Sequence, residues 1–170
     1  MVSKLEQVVI VIGASFKTMA TVTVGQFIGN KQIKESVNVM KKGLKLVLIP
    51  TILIVLVIFV FPKQFCEIFV SSEDVVKMSV TYLSVVGISY ILMPLRQLLY
   101  GFIVGTGHTK YVLFSAIISS IGEITTIVLL KDNNMENLII IGTAILVYVA
   151  IEMCLNGTYY LLKKWQKVAL

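Results

Sequence analysis

Leu44-Lys-Leu-Val-Leu-Ile-Pro-Thr-Ile-Leu-Ile-Val-Leu-Val-Ile-Phe-Val-Phe61 is an almost unbroken apolar run whose single charge, Lys45, lies at its edge. A helix that crosses a bilayer needs about 20 predominantly apolar residues. Lys45 can snorkel to the surface on its long stem, and Pro62 stops the helix at the other end. Four further stretches follow the same template. Val8–Ile28 carries one internal charge, Lys17, while Met78–Leu95 is charge-free and runs on past Arg96. Tyr111–Leu130 and Leu138–Leu162 complete the set, separated by the turn Lys131-Asp-Asn-Asn134. We expect an all-α integral membrane protein with a bundle of about five transmembrane helices. It forms a single partial domain over residues 1–170, with spans near 8–28, 44–61, 78–98, 111–130 and 138–162.

The charges between the spans alternate in sign. Gly29–Lys45 holds five lysines against Glu35, and Arg96–Lys110 and Lys163–Leu170 are also net positive, whereas Pro62–Lys77 and Lys131–Asn137 are net negative. Lys and Arg collect in cytoplasmic loops, which predicts the N-terminus outside and the C-terminus inside a cell membrane. Composition agrees with the membrane class: 57% of residues are hydrophobic and 14% charged, against roughly 45–50% and about 25% in soluble domains. The net charge of +6 lies in short loops without interleaved aromatics, so we expect no nucleic-acid partner and read the basic loops as facing anionic lipid.

Two cysteines, Cys66 near an outer loop and Cys154 in the last span, are too few for a disulfide framework. The N-terminus lacks a small-residue cleavage site. Ser71-Ser-Glu-Asp74 reads as the start of a helix leading into the third span. Trp165, with Tyr159 and Tyr160, reads as an interfacial anchor.

Polar residues within spans carry the functional signal, because an acid or lysine at mid-helix costs about 2.5–3.5 kcal/mol on insertion scales. Ser115, Ser119, Gly122, Glu123 and Thr126 share one face of the fourth span. A packing seam accounts for the small residues; Glu123 is too expensive for packing alone and is a candidate proton or cation site. The fifth span repeats the device with Tyr148, Glu152, Asn156 and Tyr159. In the first span Gly13, Lys17, Thr21 and Gly25 recur at four-residue steps. Lys17 either pairs with Glu123 or Glu152 or lines a water-filled cavity. His108 reads as a solvated loop residue, and no metal-ligand cluster, nucleophile motif or phosphate loop is present. We therefore expect no catalytic residues, no metal and no cofactor.

Two segments resemble the multidrug and toxic compound extrusion (MATE) transporters. Thr21-Val-Thr-Val-Gly-Gln-Phe-Ile-Gly-Asn-Lys-Gln-Ile-Lys34, followed by Met40-Lys-Lys-Gly43, resembles a helix end, loop and basic helix of that family. Leu99-Tyr-Gly-Phe-Ile-Val-Gly-Thr-Gly-His-Thr-Lys110 resembles its glycine turn between the tenth and eleventh helices. Glu67-Ile-Phe-Val-Ser-Ser-Glu-Asp-Val-Val76, with Tyr82 and Leu83, resembles an outer loop and the next helix. On this resemblance Gly25, Gly29, Gly101, Gly105 and Gly107 are structural turn residues.

The resemblance implies one incomplete lobe of a two-lobe transporter, helices eight to twelve of twelve, with a missing N-terminal lobe as partner. It implies export of organic cations or other small toxic compounds, driven by H⁺ or Na⁺ as coupling ion. Glu123 matches an acid in the eleventh helix of some bacterial members; Lys17, Glu152 and Asn156 rest on the residue argument alone. The acid that some sodium-coupled members place in the tenth helix has no counterpart in Met78–Leu95. The alternatives are a lipid-linked oligosaccharide flippase of the same superfamily and a non-transporting membrane remnant or scaffold.

Overall fold

Val2–Gly29 (α1) and Ile33–Val60 (α2) are each 28 residues long, or about 42 Å at the rise of an α-helix, longer than a bilayer core of about 30 Å. The computed structural model describes residues 2–67, 72–131 and 137–167. Between α1 and α2 the chain reverses within three residues, and Lys31 takes a left-handed φ of 59° to make the turn. Inside α2, Pro50 removes one backbone donor, and the Thr51 hydroxyl one residue later donates to the Val47 carbonyl at 2.6 Å.

A short helix, Pro62–Glu67 (α3), follows. The sequence then passes through α4 (Glu73–Val86) and α5 (Ser89–Gly105). Ser72 takes the extended N-cap conformation before α4, with Glu73 and Asp74 in its first turn, where acids favour the helix dipole. Residues 68–71, including Ser71 and part of the Glu67–Val76 loop motif, lie outside the described residues, as do 132–134 of the expected turn and the tail 168–170.

The stretch expected as one helix over 78–98 is two, which meet at 49°. Gly87 is the reason. A Cβ there would sit 2.5 Å from Cε2 of Phe59, so the missing side chain lets the α2 ring press into the chain at the break. Ser89 donates its hydroxyl to the Val86 carbonyl at 2.6 Å, giving a partner to a backbone group at the joint. Hydropathy does not register such a break, since both halves are apolar.

Thr109–Leu130 (α6) and Asn137–Leu161 (α7) complete the bundle. Among the described residues there is no strand, and four helices are long and apolar enough to span a membrane, or five spans when α4 and α5 count as one. The fold is thus an all-α membrane bundle.

Its broadest seam joins α1 to α5, followed by α6 on α7 and α5 on α7. One core cluster, around Val9, Ile58, Leu83 and Tyr90, lies at the end where α2 finishes and α4 begins. The other, around Val24, Met40, Leu98 and Phe102, lies toward the lysine-rich end. Outside these seams the bundle shows an apolar exterior, with Leu53, Val57, Leu113, Ile121 and Val128 all exposed. A soluble protein rarely presents so large a patch; a bilayer covers it without cost.

Trp165 departs from the expected interfacial anchor. After α7 the chain turns back at Lys163, φ 54°, into a 3₁₀ turn over Lys164–Lys167. The turn brings the indole beneath the bundle, 1% exposed. Its ring meets Phe102 edge-on at 5.0 Å, and its N–H donates to the Tyr160 carbonyl at 3.1 Å. Both the apolar body and the polar tip of the ring are satisfied inside the protein.

Candidate functional site

Along α7, Tyr148, Glu152 and Asn156 stand one turn apart and face the interior; Glu152 and Asn156 are both 0% exposed. The Glu152 carboxylate forms an ion pair with the guanidinium of Arg96 on α5. Arg96 also donates to the Tyr148 hydroxyl at 3.3 Å, and its Cζ lies 5.1 Å from the centre of the Tyr148 ring. Opposite charges neutralise one another here, as burial requires. The satisfaction is incomplete: Arg96 Nε and Glu152 Oε1 are buried with no partner among the described residues.

One turn further along, Asn156 meets Ser115 of α6, with Ser115 Oγ 3.0 Å from the side-chain oxygen of Asn156 and 2.9 Å from the Val112 carbonyl. One hydroxyl proton cannot serve both acceptors, and Asn156 Nδ2 has no partner. Turning the amide by 180° resolves both: Nδ2 then donates to Ser115 Oγ, and the serine proton goes to Val112. The polar groups of α5, α6 and α7 therefore form adjacent layers across the bundle. Tyr111 extends the contact, donating to the Leu155 carbonyl at 2.7 Å and stacking on Tyr159 at 3.8 Å.

The small residues of α6 form a seam. Gly122 faces α7, where a Cβ would run into Cδ1 of Ile151, and Ser119 donates back to Ser115 within the helix. Glu123, on the flank of this seam, is half-buried, and among the described residues no cation lies within ion-pair distance of it. Glu123 and Glu152 thus have opposite environments, one acid open to a cation and the other already paired.

Lys17 pairs with neither acid. Its ammonium sits 4.0 Å above the centre of the Tyr100 ring at the α1–α5 seam. Gly101 and Gly105 make that seam possible. A Cβ on Gly101 would collide with the Lys17 backbone, and one on Gly105 would lie 2.8 Å from the Thr21 carbonyl oxygen. Thr21 then donates across the contact to the Gly101 carbonyl at 3.2 Å. Of the glycines expected in turns, Gly25 and Gly101 lie inside helices, while Gly29 and Gly105 end α1 and α5. Only Gly107 is a turn glycine, at φ +88°. The helical spacing of Gly101 and Gly105 is a close-packing device, which a reading of the segment as one glycine-rich turn conceals.

Two participants escaped the sequence reading. Arg96 falls within the expected span 78–98, and α5 does carry it inside the bundle; what the sequence does not show is its pairing with Glu152, for which Lys17 is the cation it offers. Glu6, at the opposite end of the bundle, accepts a 2.7 Å hydrogen bond from Tyr82 and lines a cavity of about 340 Å³ with Ser79 and Met78. Its position before the first span offered no periodic signal. Among the described residues no group of three His, Cys, Asp or Glu side chains could hold a metal ion.

The sequence matches the family model described as MatE over residues 1–129. No curated protein and no solved structure matches it.

Proposed function

The chain belongs to the MatE family of membrane transporters, and from that membership we propose that it serves as one lobe of a multidrug efflux antiporter. In this reading the substrates are organic cations and other small toxic compounds, and the driving ion is H⁺ or Na⁺. The helices resemble only the second lobe of a two-lobe plan, so export requires an N-terminal lobe as partner. The lysines of the α1–α2 turn, Lys110 and Lys164 gather at one end, which supports a cytoplasmic C-terminus in the plasma membrane.

Glu123 carries the proposal. A carboxylate at membrane depth with no paired cation is costly while ionised, by about 2.5–3.5 kcal/mol on insertion scales. A proton, Na⁺ or a cationic substrate removes that cost, and the group that must be neutralised is the group that can couple. Glu152 is a weaker candidate, because Arg96 already balances it.

The test is ethidium accumulation in an efflux-deficient bacterium that expresses this chain alone, then with an N-terminal lobe. Export only with the N-terminal lobe, and its loss in Glu123→Gln, is the expected result. Export by the chain alone would overturn the two-lobe requirement. No export in either arrangement would favour a non-transporting remnant.

A further inference from the structure

A cavity of about 370 Å³ opens between α1, α5 and the first turn of α6. Its lining is chemically one-sided. Lys17 supplies an ammonium, Thr109 a hydroxyl, and Tyr100, Val22 and Val104 supply apolar wall; no carboxylate contributes. The other two threonine hydroxyls are occupied: Thr18 donates to the Ala14 carbonyl, and Thr21 shares its one proton between the carbonyls of Lys17 and Gly101.

Lys17 is held over Tyr100, but an aromatic face accepts no hydrogen bond of ordinary strength, and among the described residues the ammonium has no oxygen partner. Three strong donors are therefore left open in a pocket with apolar walls. Thr109 is likewise without a partner among the described residues and is the first residue of α6. The rim of the pocket is thus also the positive end of a 22-residue helix. Ammonium, hydroxyl and helix terminus all favour negative charge, and nothing in the lining opposes it.

The backbone contact of Gly101 with Lys17 fixes the depth of the site. Lys17 lies at the level of Gly101, between one and two turns of α5 from the Gly107 turn at the lysine-rich end. From that level the pocket runs to Thr109, at the end where basic pockets between spans meet anionic headgroups.

We propose that this Lys17–Tyr100–Thr109 pocket binds a phosphate-type oxyanion carried on an apolar body. An anionic phospholipid of the adjacent leaflet and a soluble phosphate ester share this chemistry. The site is separate from Glu123 and attracts the opposite charge, so it stands whether or not the chain exports cations.

The test uses the full chain in bilayer discs of phosphatidylglycerol and phosphatidylcholine in equal parts, released into the gas phase for native mass spectrometry of retained lipid. Wild type is expected to retain phosphatidylglycerol preferentially. Lys17→Gln should reduce that retention about tenfold, the loss of one charge-assisted contact, while Lys17→Arg keeps it. Thr109→Val, at an exposed position, should weaken it in the same direction with the fold intact. Lys42→Gln, an exposed lysine at the same end, should leave it unchanged. A second arm adds hexyl phosphate to lipid-free protein in neutral detergent. Lys17-dependent binding there, without selectivity for phosphatidylglycerol, assigns the site to a soluble ester; selectivity for the lipid alone assigns it to the headgroup. Equal retention of both lipids by wild type and Lys17→Gln, with no Lys17-dependent binding of hexyl phosphate, overturns the proposal.

Discussion

Gly101 and Lys17 touch backbone to backbone: the missing side chain of one admits the main chain of the other, and α1 and α5 lie together along their length. In a bilayer, helices gain nothing from hiding apolar surface from each other, so close approach and interhelical hydrogen bonds must hold them. The Thr21 to Gly101 hydrogen bond at this crossing is the second half of that device.

Gly101→Ala should therefore destabilise the bundle, by about 1–3 kcal/mol or more, as overpacking does. Gly29→Ala is the control, since nothing lies within 4 Å of the added carbon. Thermal denaturation of the detergent-solubilised protein reads the difference. Equal melting temperatures for the two variants would mean that the crossing is not tight.

The Arg96–Glu152 pair predicts non-additivity. Glu152→Gln leaves the guanidinium buried without its counter-charge and should cost about 3–5 kcal/mol. Replacing both, as Arg96→Met with Glu152→Met, should cost far less than the sum of the single changes. A double-mutant cycle on unfolding free energy measures the coupling; additive losses would show that the two charges act independently. Glu123→Gln, which breaks no pair, should leave stability within about 0.5 kcal/mol of wild type.

Cys66 is fully buried, and burial pushes its thiol above the ordinary value of 9.0, with the neighbouring Glu67 adding to the rise. The reactive form is the thiolate, so Cys66 should resist maleimide at pH 8 and react when the chain is unfolded. The folded state holds this proton more tightly than the unfolded one. Its contribution to stability is complete below pH 9 and declines as pH rises through the folded value. Cys154 is exposed on α7, a membrane span, so the same need for a thiolate should keep it slow to react in the bilayer. Rapid labelling of Cys66 in the folded protein at pH 8 would contradict its burial.

Trp165 is the only tryptophan, so intrinsic fluorescence reports on it alone. Burial against Phe102 and Tyr160 predicts a blue-shifted emission that neither aqueous iodide nor brominated lipid quenches well. Strong quenching by brominated lipid would return it to the role of interfacial anchor. Trp165→Ala should cost about 3–5 kcal/mol, as large-to-small changes in a core do.

Apolar length and charge spacing were enough to establish the membrane class and the all-α bundle, because a chain in hydrocarbon must satisfy its own backbone and helices do so locally. The interior positions of Glu152 and Asn156 were legible too, since a four-residue step on a helix is geometry that no neighbour alters. The partners were not. Nothing marked Arg96, near the end of its span, as the counter-charge of Glu152, Lys17 was as open to Glu123 or Glu152 as to water, and Gly87 gave no sign of a break between apolar halves. Which face meets which depends on where Gly101, Gly105 and Gly122 let helices approach and where Phe59 presses on the chain. Those contacts join residues far apart in sequence, and a local pattern carries no information about them; the choice of Arg96 for Glu152 and of Tyr100 for Lys17 was made only when the helices packed.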